Sequence, residues 1–80
     1  MNERLINEGR LAETQEKLKE MQLRLTYLRD ALRQELDPFE SLENLKGETI
    51  KLLSSDFAIH HRDYMKLLEL ERALCKALGK

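Results

Sequence analysis

The sequence predicts an all-α protein: an antiparallel, coiled-coil-like helical hairpin that dimerises to a four-helix bundle. Three observations carry this prediction. Apolar residues recur in a three-four rhythm on both sides of a single strong internal breaker, Asp37-Pro38. Charged residues make up 36% of the 80-residue chain, aromatics 5%, and there is no Trp. Such a mixture is typical of long helices and poor in the residues that strands favour. The segments on either side of the breaker are about equal in length, as the two arms of a hairpin should be.

The first helix is expected over about residues 2–36. Leu11, Leu18, Leu25 and Leu32 recur every seventh residue, and Thr14, Met21 and Leu28 fall between them. Lettering the first set a and the second d gives three heptads in register, a coiled-coil signal. At ~1.5 Å per residue the helix is about 50 Å long. Gly9 precedes the seam and weakens the first turns.

At Asp37-Pro38-Phe39-Glu40 the chain must change course. Proline removes a donor and drives the residue before it out of the α region. Proline also suits the first position of a new helix. With Asp37 as N-cap, Pro38 at N1 and Glu40 at N3, the run reads as a capping box with Asp in place of Ser or Thr. The second helix is therefore expected over about residues 38–78. A connection this short makes the helices antiparallel neighbours.

That second segment carries its own seam: Ile50, Leu53, Phe57, His60, Tyr64, Leu67, Glu71, Leu74 and Leu78 alternate by three and four, and seven of the nine are apolar or aromatic. Gly79 follows as a C-cap. A second stripe, Leu42, Leu45, Thr49, Leu52 and Ile59, runs one residue out of step with the first. Two readings of it stay open. Either the helix is continuous with two apolar faces, or it breaks near Ser55, within Ser54-Ser55-Asp56, and the residues fold into a three-helix bundle.

Charges beside the seam bear on orientation. Arg10, Lys17 and Arg24 take g positions; with Ile50 as a, so do Asp56 and Asp63. Folding the chain about Asp37 brings Lys17 near Asp56 and Arg10 near Asp63, pairs that set orientation more than they stabilise. Glu13–Lys17 and Glu20–Arg24 add i,i+4 pairs within the helix.

Little in the chain supports catalysis. It holds no Gly-rich phosphate loop, paired-carboxylate signature or zinc motif, and two helices make no natural cleft. The expectation is a non-enzyme with no catalytic residue, metal or cofactor. His60-His61 lacks the further ligands a metal needs, and His60 reads as a seam histidine bonded to a neighbour. Cys75, the single cysteine, reads as a packed thiol, excludes an intrachain disulfide and fits a reducing cytoplasm. Residues 1–4 begin no apolar run, so no signal peptide is expected. The longest apolar stretches are only two or three residues, so no membrane span is expected either.

What remains is association. Leu23 and Tyr27 on the first helix, with Leu42, Leu45, Leu52 and Ile59 on the second, would face water in a lone hairpin. A contiguous apolar stripe marks an interface. The expected partner is a second copy, as a homodimer or higher, or another protein, for which the chain acts as a subunit or chaperone-like component of a larger assembly. Nucleic acid is the alternative. In overall plan the chain resembles the small plasmid-encoded helical hairpins that dimerise into four-helix bundles and bind paired RNA loops. The likeness is one of architecture; no residue motif is shared, and no functional residue is carried over. The net charge of −1, from 14 basic and 15 acidic residues interspersed along the chain, advertises no polyanion partner. Short charged helical chains are also common among phage and mobile-element proteins.

Overall fold

A computed structural model describes residues 2–80. Helix α1 spans Glu3–Glu35, a single 3-10 turn spans Leu42–Asn44, and α2 spans Gly47–Ala77. The helices pack antiparallel in a rod of 62 × 18 × 15 Å. The Cα radius of gyration is 17.8 Å, where a compact domain of this length has about 12 Å. Helix α2 runs unbroken through Ser54, Ser55 and Asp56. All three are exposed, so their polar side chains stay in water while Leu53 and Phe57 on either side keep the seam. The continuous reading holds, and no three-helix core forms.

Both helix ends follow local chemistry. The Asn2 Oδ1 accepts the Arg4 N–H at 3.0 Å and caps α1. At the end of α2, Gly79 adopts φ 71°, where a side chain would be strained. Its N–H reaches the Lys76 carbonyl at 3.2 Å and the Lys80 N–H reaches the Cys75 carbonyl at 2.8 Å, the paired bonds of a Schellman cap.

The start of α2 differs from the prediction by nine residues: it lies at Gly47, not at Pro38. Asp37 does act as a local cap, accepting the Phe39 N–H at 3.0 Å on its side chain. Its backbone carbonyl accepts the Glu40 N–H at 3.2 Å, which closes a β-turn instead of opening a helix. Asp at the first position and Pro at the second suit that turn as well as they suit a helix start. The chain then makes its one 3-10 turn, where Glu40 accepts from the Asn44 side chain at 3.0 Å, before Gly47 enters α2.

The seam lies where the heptads put it. On α1, Leu11, Thr14, Leu18, Leu25 and Leu28 are buried, and Met21 and Leu32 half-buried. Leu28 is the most enclosed side chain, at 1% exposure. On α2, Leu74 and Leu78 are buried and the other seven seam residues half-buried. Leu11 packs against Leu74 and Leu78, with Cys75 alongside. Polar seam residues find partners within their own helix: Thr14 Oγ1 donates to the Arg10 carbonyl at 2.8 Å, and His60 Nδ1 donates to the Asp56 carbonyl at 2.7 Å. Among the described residues no buried side-chain nitrogen or oxygen lacks a partner.

The longer connection also resets the register. Gln22 Nε2 donates to the Tyr64 hydroxyl at 3.2 Å, so these two residues lie level across the seam. Lys17 is then level with Glu69 and Arg10 with Lys76. The expected Lys17–Asp56 and Arg10–Asp63 pairs do not form, because the chain folds about Glu43, within the 3-10 turn, and not about Asp37. Glu13–Lys17 and Glu20–Arg24 are also absent among the described residues, where the ion pairs are Arg4–Glu8 at 3.4 Å and Arg29–Asp30 at 3.3 Å. Exposed pairs gain little against the entropy of fixing two long side chains.

Spin labels at Glu16 and Arg72, in a Cys75→Ser background, should report short distances; values above about 40 Å, the scale of an opened pair of such helices, would contradict the hairpin. Leu28→Ala should lower stability by ~2–5 kcal/mol, the range for a buried leucine, measured by urea unfolding; a change near zero would mean the seam is elsewhere.

Candidate functional site

A two-helix rod buries one stripe per helix and leaves two flanks and a back. In an antiparallel pair, g positions face g and e positions face e. Both grooves are formed here. Arg10, Lys17 and Leu70 line one; Gln15, Gln22 and Leu68 line the other. The first groove broadens outward onto c positions and the second onto b positions, so each flank is built by both helices.

The two flanks differ in chemistry. On the c/g flank α2 presents Leu52, Ile59, Leu70, Ala73 and Ala77, interrupted by Asp56, Asp63 and Lys66. Leu52 is 66% exposed and Ile59 50%. The α1 half of this flank, from Arg10 to Ala31, carries Tyr27 and alternating charges: Arg10, Glu13, Lys17, Glu20 and Arg24. Four cations (Arg10, Lys17, Arg24, Lys66) thus nearly balance five anions (Glu13, Glu20, Asp56, Asp63 and, one heptad before Arg10, Glu3). The b/e flank carries Lys19, Arg29, Arg33, Lys51 and Arg72, with only Glu8 of opposite sign.

Of the six residues singled out from the sequence, three share the c/g flank: Tyr27, Leu52 and Ile59. Leu23 stands on the back of α1. Leu42 lies in the 3-10 turn, exposed, and Leu45 just beyond it, half-buried. The later start of α2 is what separates Leu42 and Leu45 from the helical stripe. Leu70 and Ala77 continue that stripe in their place. Their signal was the same three-four spacing carried on through 59, 63, 66, 70, 73 and 77.

A second exposed apolar group caps the turn. Phe39 is 96% exposed, with Leu36 and Leu42 also in water. Read as helical, Phe39 drew no notice from sequence; in the β-turn it projects from the end of the rod.

On α2 the Phe57 and His61 rings stack at a centroid distance of 5.6 Å. Among the described residues no three His, Cys, Asp or Glu side chains converge, and no helix is long and apolar enough to cross a membrane. No protein-family model, curated protein or solved structure matches the chain.

Proposed function

We propose that the chain is a non-enzymatic oligomerisation module, a helical hairpin that associates through its c/g flank into a four-helix bundle. The observation that carries this reading is the exposed row Leu52, Ile59 and Leu70 on an unbroken α2, on the flank where charges nearly balance. Burying a Leu or Ile is worth ~1.5–3 kcal/mol, and a hairpin with one thin seam has little other apolar area to bury. Covering the row is a gain open along the length of α2, where the exposed Leu36, Phe39 and Leu42 are confined to the turn end.

A second reading is supported by a different observation. The b/e flank, with five cations against one anion, suits phosphate contacts, and association through the opposite flank would leave it free.

Sedimentation and circular dichroism on Leu52→Lys/Ile59→Lys test the first reading. The wild-type chain should sediment as a dimer or larger and the variant as a helical monomer. A wild-type chain that stays monomeric at all concentrations would reject self-association. For the second reading, duplex RNA and DNA should be retarded in a gel by the wild-type chain. The retardation should weaken steeply with salt and be lost in Lys19→Glu/Arg33→Glu/Lys51→Glu. Binding indifferent to salt, or unchanged in that variant, would dismiss it.

A further inference from the structure

We infer that the partner is a second copy of this chain, seated antiparallel on the c/g flank about a two-fold axis that crosses the hairpin at the level of Gln22 and Tyr64. The docking mode rests on the self-association proposed above and adds its partner, orientation and register.

Orientation follows from the spacing of the c/g row on α2. Residues 52, 56, 59, 63, 66, 70, 73 and 77 step by four and three alternately, a series that reads the same in both directions. An isologous contact requires that symmetry, since each residue must meet its mate's partner twice. With the axis between Tyr64 and Met65, Ile59 meets Leu70 of the second copy, Leu52 meets Ala77, and Asp56 meets Ala73. At the centre Asp63 meets Lys66, twice. Neither Asp63 nor Lys66 has an ion-pair partner among the described residues.

Charge on α1 is compatible with the same axis. The Gln22–Tyr64 hydrogen bond fixes which part of α1 is level with the centre of α2. About Gln22, Glu20 meets Arg24 of the second copy and Lys17 meets Tyr27, a cation over an aromatic ring. Glu13 meets Ala31 and Arg10 meets Gln34. No like charges meet anywhere on the flank.

The two rows together select this register from its neighbours. Moving the axis half a heptad toward the turn still sets Leu52 against Leu70 and Asp56 against Lys66, but it sets Ile59 against Asp63, and on α1 it leaves Lys17 against Gln34 and Glu20 against Ala31 with no charge pair. Moving it the other way keeps the α1 charges paired, as Glu20 with Lys17 and Glu13 with Arg24. It sets Asp63 against Ala73 and Lys66 against Leu70, and separates Ile59 from Leu70. Only the central register pairs opposite charges on both helices, Asp63 with Lys66 on α2 and Glu20 with Arg24 on α1.

The other flank cannot serve the same way. Its excess of cations leaves few opposite charges to pair: one antiparallel register puts Lys19 against Arg29 of the second copy, and the neighbouring one pairs charges only as Glu8 with Arg33. The paired rows, residues 10–34 and 52–77, cover about 38 Å of the rod at ~1.5 Å per residue; across its 18 Å width that is a footprint on the order of 700 Å² per copy, close to the ~800 Å² per partner of stable interfaces.

Charge reversal tests the register without touching the seam, because Asp63 and Lys66 are exposed. Asp63→Lys alone, and Lys66→Asp alone, should each dimerise roughly tenfold more weakly than the wild-type chain, since both central pairs become like-charged. An equimolar mixture of the two single variants should recover dimer, as a heterodimer, because every central contact is again of opposite sign. The double variant Asp63→Lys/Lys66→Asp should dimerise like the wild-type chain. Wild-type-like dimers from both single variants, or a mixture no tighter than its parts, would overturn the register while leaving self-association standing. A wild-type chain that is monomeric throughout would remove both.

Discussion

Everything in this molecule hangs on one strip of leucine packing. Two helices share only one surface, so the a and d residues must hold the rod together along its whole length. Leu11 against Leu74 and Leu78 anchors one end. Leu25 and Leu28 carry the half nearer the turn. The charged exterior adds little: its two ion pairs join residues within α1, and none crosses between helices among the described residues. Cross-seam specificity comes instead from leucine spacing and from polar residues such as Thr14 and His60, each satisfied by the carbonyl four residues earlier. Polar groups on a seam are tolerated when so paired, and they restrict the registers available.

The seam was legible in the sequence because burial imposes a period that few other constraints mimic. All nine positions assigned to the second helix are buried or half-buried. The turn was not legible, and the reason is local. Asp followed by Pro satisfies two geometries equally, and nothing within the four-residue window distinguishes them. Gly47 was the better guide, since glycine inside a helix is unfavourable by about 1 kcal/mol relative to alanine and is less costly at a helix start. The misplaced start shifted the register, and every cross-strand charge pair inferred from it moved too. Long-range pairing in a hairpin depends on loop length counted residue by residue, which periodicity does not encode.

The candidate surface was legible in part for the same reason. Leu52 and Ile59 belong to the regular part of α2, so period alone found them. Leu42 and Leu45 belong to the connection, where period has no meaning. Tyr27 and Leu70 show what a sequence cannot supply by itself: they lie on different helices, and only the antiparallel packing puts them on one flank. The division of the rod into a nearly balanced apolar flank and a cationic one is likewise a property of the pair, invisible in a net charge of −1. Acidic residues outside the two flanks, among them Asp37, Glu40, Glu43 and Glu48 in and near the connection, offset the cationic flank and bring the chain to an unremarkable total.

The position of the termini has a consequence for anything attached to this rod. Because Leu11 packs with Leu78, the start of α1 and the end of α2 lie at the same end, and the turn with Phe39 lies at the other. A tag or domain joined at residue 2 or at residue 80 would therefore hang from one pole. The opposite pole, with its exposed aromatic ring, would project about 60 Å away, the length of the rod itself. A rod of this shape separates its two poles by its full length, with both chain ends at one of them.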